Sequence, residues 1–200
     1  MPLSENQLAK MKQKRDKVLE QAILLFSEQG YNDTTIAKVA KASGVSFGSV
    51  FTYFPTKEEL FHCAVIDPLS EISKSLLDFD PDTNTPLLEL ERMIKHHIKI
   101  FSNLGIYLRL VVQVIGQNNR FQDQFKELDE FHMQFREKIV KLVINGQKNG
   151  QLHEYKPIFA ATAYTSLLMG LRLNHTDSPD KELWEQFVPY ALQLFRPKQK

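Results

Sequence analysis

Apolar residues along this chain recur at three- and four-residue steps over stretches long enough for several helical turns, and no convincing two-residue alternation interrupts them. A chain patterned in this way builds its core from helices. With only 8 Gly and 9 Pro in 200 residues, and no repeat, low-complexity tract or flexible Ser/Gly linker, long elements with short joints are expected. In the first long stretch Val18, Leu19, Ala22, Ile23, Leu25 and Phe26 alternate with Lys12, Lys14, Asp16, Lys17, Glu20 and Glu28, which predicts an amphipathic helix ending at Gly30. Two short segments follow, Thr35 to Ala42 and Ser46 to Phe54. Between them Ser43-Gly44-Val45 offers a glycine where a tight turn needs positive φ, so the pair reads as helix-turn-helix.

A fourth helix begins near Thr56, whose hydroxyl can cap the following amides, and carries Leu60, Phe61, Ala64 and Val65 on its apolar side. It meets Pro68, beyond which Leu69, Ile72, Leu76 and Phe79 keep the helical spacing. Either one long helix kinks there, or a second helix starts at Pro68 with Asp67 as its cap. Pro81 to Pro86 reads as a loop, and further helical periods cover about 86–102, 105–116, 120–149, 157–174 and 180–196, with a kink expected at Pro189. The expected architecture is all-α: a three-helix head over residues 1–55 and a larger helical body over 56–200.

Charge narrows the choice of partner. Twenty-five Lys plus Arg oppose 24 Asp plus Glu, a net +1, so a polybasic coat is excluded and any nucleic-acid contact must be locally placed. From Thr34 to Lys57 there are three lysines, Lys38, Lys41 and Lys57, and no carboxylate. The single cysteine, Cys63, excludes an internal disulfide and a thiolate metal cage. No apolar run reaches the length of a membrane span, and the first residues lack the apolar core of a secretion signal. A cytoplasmic protein without a membrane partner is expected.

In a helix-turn-helix the second helix enters the major groove, so it needs apolar anchors behind and small or polar residues in front. Ile36, Val39, Ala40, Val45, Val50 and Phe54 supply the anchors, leaving Ser46, Phe47, Gly48, Ser49 and Thr52 outside. Gly48 costs about 1 kcal/mol relative to alanine in a helix, which points to a second surface, duplex DNA, coming close to its backbone. Phe47 and Phe51 are open to either reading at this stage, groove contact or core.

Residues 26–60 carry a set of spacings that resembles the TetR family of transcriptional regulators (TetR/AcrR type). The signature residues are Phe26-Ser27-Glu28-Gln29-Gly30-Tyr31, Thr34-Thr35, Ile36-Ala37, Ser43-Gly44-Val45-Ser46-Phe47-Gly48, Phe51-Thr52-Tyr53-Phe54 and Lys57-Glu58-Glu59-Leu60. Two departures stand out: Ser43 replaces the usual alanine of the turn, and Phe51 replaces the usual groove-facing tyrosine, so a contact there is apolar, for instance to a thymine methyl. The resemblance implies phosphate contacts from Thr35, Ser46, Tyr53 and Lys57. Phe47, Gly48, Ser49, Phe51 and Thr52 are the candidates for base edges or groove walls, with Phe47 and Ser49 foremost in sequence choice. The Lys10 to Lys17 arm is equally consistent with a solubilising helix start. With about two or three cationic contacts per subunit, a dimer's log–log salt slope of roughly −4 to −6 is expected.

The resemblance further implies that the body, residues 56–200, binds a small effector and pairs two chains. A homodimer through the last two helices is expected, using Ala160, Ala161, Ala163, Tyr164, Leu167, Leu168, Leu171, Leu183, Trp184, Phe187, Val188, Tyr190, Ala191, Leu194 and Phe195. It sets two heads roughly 34–36 Å apart on double-stranded operator DNA. The body is rich in aromatics, and a largely apolar pocket is expected, with Arg92, His96, Tyr107, Gln113, Phe131, Tyr164 and Asn174 as effector contacts and His97 and Arg109 as further polar candidates. An effector preferring the DNA-incompetent form would release a repressor, with the segment at Pro68 as transmitter, given about 5.5 kcal/mol of differential affinity to reverse a 99-to-1 preference.

Two other classes are weighed beside this one: a helical dimeric interaction protein that has lost DNA binding, and a metal-dependent enzyme. The chain lacks a phosphate-cradling glycine loop, a nucleophile elbow and a His-Glu-x-x-His helix. His62-Cys63, His96-His97 and His132 are the available ligands, but adjacent helical histidines diverge by about 100°. No catalytic residue, metal or cofactor is expected.

Overall fold

The computed structural model of the protein describes residues 4–174 and 181–198. Among these residues there are ten helical segments, one isolated antiparallel bridge between Leu152 and Pro197, and no strand. The all-α expectation holds.

Helix α1 spans Glu5–Asp33 and opens with a capping box, in which the Ser4 side chain accepts from the Gln7 amide while the Gln7 side chain accepts from the Ser4 amide. Its regular path breaks at Gly30, whose φ of 78° and ψ of 173° are accessible to glycine, and the coil resumes as far as Asp33. Gly30 is thus a kink rather than the helix end expected from sequence, and the Thr34 hydroxyl donates to its carbonyl at 2.8 Å. Helix α2, Ile36–Ser43, starts under Thr35, whose hydroxyl oxygen accepts from the Lys38 amide. It ends at Gly44, left-handed at φ 67°, whose amide returns to the Ala40 and Lys41 carbonyls. Helix α3, Phe47–Tyr53, starts under Ser46 in the same manner. Helix α4, Lys57–Leu76, runs as one helix with Pro68 inside it, and the Thr56 hydroxyl oxygen caps the Glu59 amide at 3.0 Å. Of the two arrangements open in the sequence at Pro68, the single helix is the one formed.

The remaining helices are α5 Pro86–Asn103, α6 Gly105–Gly116, α7 Gln122–Lys148, α8 Pro157–Asn174, α9 Lys181–Gln186 and α10 Val188–Gln193. The last expected segment, 180–196, is therefore two helices, and its first residue lies outside the described residues. Pro189 sits in the first turn of α10, where its missing N–H is no loss, so the break falls before it instead of at it.

The chain forms two compact units, Met1–Ser70 with Ile106–Leu128, and Glu71–Gly105 with Asp129–Lys200. In the first, Val18, Ala22 and Phe26 of α1 meet Val39 and Ala40 of α2, Val50 and Phe54 around α3, and Leu60, Phe61 and Ala64 of α4, all buried. Each such Val, Leu or Phe side chain contributes about 1.5–3 kcal/mol by leaving water. Residues 106–128 join this core through the Gln113 amide, which donates to the Phe26 carbonyl at 2.9 Å, and the Tyr107 hydroxyl, which donates to the Val65 carbonyl at 2.8 Å.

The second unit is organised around His97, fully buried on α5. Its Nε2 lies 2.9 Å from the Leu76 carbonyl, which can only accept, so that nitrogen carries the proton. Burial pushes the imidazole pKa down to about 3 and keeps it neutral, so Nδ1 accepts from the Tyr164 hydroxyl at 3.0 Å. At the far end of α5, buried Arg172 of α8 donates to the Ser102 carbonyl at 3.1 Å, satisfying a helix-end acceptor.

Candidate nucleic-acid interface

The turn places α3 with Val50 and Phe54 facing inward and its opposite side open to solvent. Phe47 is 56% and Phe51 40% exposed, and their rings meet edge to face at 5.2 Å, so neither is a core aromatic. Gly48 and Thr52 are exposed, and a Cβ added at Gly48 would meet nothing within 4 Å. Ser49 is half-buried, its hydroxyl 2.6 Å from that of Ser46. Thr35 and Ser46 are exposed, with their oxygens occupied as acceptors by the caps, which leaves the Thr35 O–H able to turn outward, while the Ser46 hydroxyl shares its further bond with Ser49. Tyr53 is half-buried. Of the anchors, Val39, Ala40, Val50 and Phe54 are buried, whereas Ile36 and Val45 are only half so.

Lys57 is held more closely than the sequence implies. Its ammonium donates to the Asn32 carbonyl at 3.3 Å and lies 4.3 Å from the centre of the Tyr31 ring, where burial lowers its pKa from the ordinary lysine value. The Tyr31 hydroxyl donates to Glu58 at 2.7 Å, and burial raises its pKa to about 12. A second cation reaches this joint from the loop between α6 and α7: the Arg120 guanidinium donates to Asn32 Oδ1 at 2.8 Å and stands 4.6 Å from the same ring centre. No sequence signal marks Arg120, because only the return of residues 106–128 to the first unit puts it there. Lys38 is engaged within the head, donating to Gln29 Oε1 at 2.7 Å and the Asp33 carbonyl at 2.8 Å. In the arm, Lys10, Lys12, Lys14 and Lys17 are exposed, while Arg15 pairs with Asp67 at 3.0 Å.

The seven expected effector contacts are divided between the two units. Tyr107 and Gln113 belong to the first unit, where both are spent on backbone carbonyls. In the second unit Arg92 is exposed and paired with Glu89 at 2.7 Å, Asn174 is exposed, and Tyr164 is buried against His97. Phe131 is half-buried, stacked on Phe135 at 5.8 Å. Only His96 lines the cavity of about 640 Å³ between α5 and the α9–α10 pair, beside Ile98, Trp184, Val188 and Pro189. Among the described residues no group of three or more His, Cys, Asp or Glu side chains is placed to hold a metal ion. No single helix among them is long and apolar enough to cross a membrane.

The apolar residues expected between two chains sort into three sets. Ala160, Ala161, Tyr164, Leu168, Leu171, Trp184, Ala191 and Phe195 are buried within the protomer, and Leu167, Leu183, Phe187, Val188 and Leu194 are half-buried. Ala163 and Tyr190 point out, joined by Ile158, Phe159 and Leu173, which the sequence did not single out. Helix α8 is apolar on two sides, and periodicity alone does not tell the inner from the outer.

The head and its helical surroundings define an all-helical helix-turn-helix protein. Residues 18–64 match the family described as bacterial regulatory proteins, tetR family. It is 33% identical over 109 residues to the HTH-type transcriptional regulator AcrR of Shigella flexneri, covering 54% of this chain and 50% of the relative. The chain spans about half the length of the curated relatives it matches well. A bacterial regulatory protein in the tetR family from Rhodococcus RHA1 shares the fold with a TM-score of 0.75 at 20% identity, covering 93% of this chain and 98% of that one. AibR, crystallised in complex with isovaleryl coenzyme A and operator DNA, superposes with a TM-score of 0.72 at 15% identity, over 92% and 100% of the two chains.

Proposed function

We propose that the protein is a sequence-specific DNA-binding transcriptional regulator, a repressor that acts as a homodimer in the cytoplasm and leaves double-stranded operator DNA when a small, largely apolar effector binds. In this reading residues 1–55 are the DNA-binding part and 56–200 the effector-binding and dimerisation part. Thr35, Ser46, Tyr53 and Lys57 take phosphates, and Phe47, Gly48, Ser49, Phe51 and Thr52 take the groove. The observation that carries it is the outer face of α3. Two phenylalanines stand in water there beside a glycine that no neighbour in the chain requires. Exposed apolar rings and a helix-weakening residue both cost stability, and a partner surface offsets them only when it docks at that face.

Pairing uses the outward side of α8, where Phe159, 67% exposed, Ala163, Gly170 and Leu173 recur on one face, and Tyr190 of α10, 70% exposed. The cavity lined by His96, Ile98, Trp184 and Val188 is of the size that holds small ligands, and the acyl thioester bound by AibR supports an apolar acyl-type effector.

Gly48→Ala separates this reading from a helical interaction protein without DNA binding. A methyl there meets nothing inside the chain, so the variant is expected to melt no lower than the parent. Its affinity for DNA from upstream of its own coding sequence is expected to fall about tenfold, or ~1.4 kcal/mol. Unchanged affinity in a parent that binds this DNA would remove the major-groove role of α3.

A further inference from the structure

We propose that Arg120, in the loop joining α6 to α7, is a contact to the DNA backbone, taking a phosphate side by side with Lys57. This rests on the DNA-binding reading above and extends it beyond the helix-turn-helix, to a residue that the domain match over 18–64 does not include.

The geometry is specific. Arg120 and Lys57 come from segments more than sixty residues apart, yet both are tied to Tyr31 and Asn32, at the joint between α1 and α2. Arg120 donates to Asn32 Oδ1 and Lys57 to the Asn32 carbonyl, and their charged groups lie 4.6 and 4.3 Å from the centre of the Tyr31 ring. Neither forms a salt bridge among the described residues. The adjacent carboxylate of Glu58 instead accepts from the Tyr31 hydroxyl.

Two like charges drawn to one ring repel each other. Burial is the largest cause of the lowered Lys57 pKa; the charge of Glu58 opposes it, and the charge of Arg120 adds to it. A phosphate set between the two groups relieves that repulsion, and although Glu58 and Asp33 lie near enough to act on Lys57, no described carboxylate comes within salt-bridge distance of either cation. Arg120 is exposed and spends a donor on a neutral amide oxygen, which fixes the guanidinium plane while its other N–H groups stay toward solvent. A planar fork with a permanent charge is the side chain best suited to a phosphate oxygen pair. A mere brace between loop and head would need only the neutral hydrogen bond to Asn32.

The salt dependence of binding to the same upstream duplex distinguishes a charge contact from a brace. Each cationic contact to a phosphate adds about −0.9 to the log–log slope, so Arg120→Gln is expected to make the dimer's slope shallower by about 1.8. Between 50 and 200 mM salt the variant would lose roughly tenfold less affinity than the parent does. Arg120→Lys, which keeps the charge, is expected to keep the parental slope, as is Asn32→Ala, which frees the guanidinium without discharging it. Thermal unfolding of each variant checks that the fold is retained. If Arg120→Gln and Asn32→Ala weaken binding alike with the slope unchanged, Arg120 is only a brace and the proposal fails. If Arg120→Gln binds as the parent at every salt concentration, it fails also. A parent that does not bind duplex DNA at all would instead overturn the functional reading beneath it.

Discussion

Acidifying the native protein from pH 7 to pH 5 is expected to cost about 2 kcal/mol of stability through one residue, His97. In the folded chain its pKa is pushed down to about 3 because the ring is buried, while an unfolded chain leaves it near the ordinary histidine value of 6.5. Between these values the unfolded state binds a proton that the native state refuses, so stability is complete above pH 6.5 and is lost as pH falls from there toward 3. At pH 5 the unfolded imidazole is 1.5 pH units below its own pKa, and at about 1.4 kcal/mol per unit the loss is ~2 kcal/mol. Urea unfolding at pH 7, 6 and 5, at one fixed protomer concentration, reads this directly. With a slope of about 2 kcal/mol/M the midpoint should move by ~1 M. His97→Gln cannot titrate, so although less stable at pH 7 it should lose about 2 kcal/mol less over the same interval. Parallel pH curves for parent and variant would refute the assignment, as would an imidazole resonance of native His97 that titrates near pH 6.5.

Two further perturbations test the second unit. A Cβ at Gly105 would overlap the guanidinium of Arg172, which is buried and bonded to the Ser102 carbonyl and so has little room to yield; Gly105→Ala is expected to destabilise by about 1–3 kcal/mol in urea unfolding, and an unchanged midpoint would contradict that packing. Phe159→Lys places a charge on the most exposed aromatic of the α8 side of the proposed pairing face without touching the protomer core, so sedimentation should show a folded monomer where the parent is a dimer, and an undisturbed dimer would move the interface elsewhere.

How much of the molecule could be read from its residues differs between the head and the rest. The helix-turn-helix followed from local rules, because Thr35 and Ser46 cap their own helices and Gly44 makes its own turn, each within four residues. The contacts of the body are non-local. Gln113 stood out in the sequence only as a polar residue of the body, and its bond to the Phe26 carbonyl of α1, 87 positions away, was not legible there. Ala160 and Leu168 looked like interface and proved to be core, since α8 presents apolar residues on two sides.

Sequence alone determined that the fold is all-α, where the caps at Thr35 and Ser46 and the turn at Gly44 fall, and that a short helix bearing Phe47, Gly48 and Ser49 follows, because these depend on periodicity and on backbone conformations set by neighbouring residues. Tertiary structure alone decided that Arg120 joins Lys57 at Tyr31, that His97 is neutral beneath Tyr164, and that only some apolar residues of α8 face out. Those outcomes hang on which distant segments pack together, and desolvation and charge pairing take effect only once that packing has removed the water.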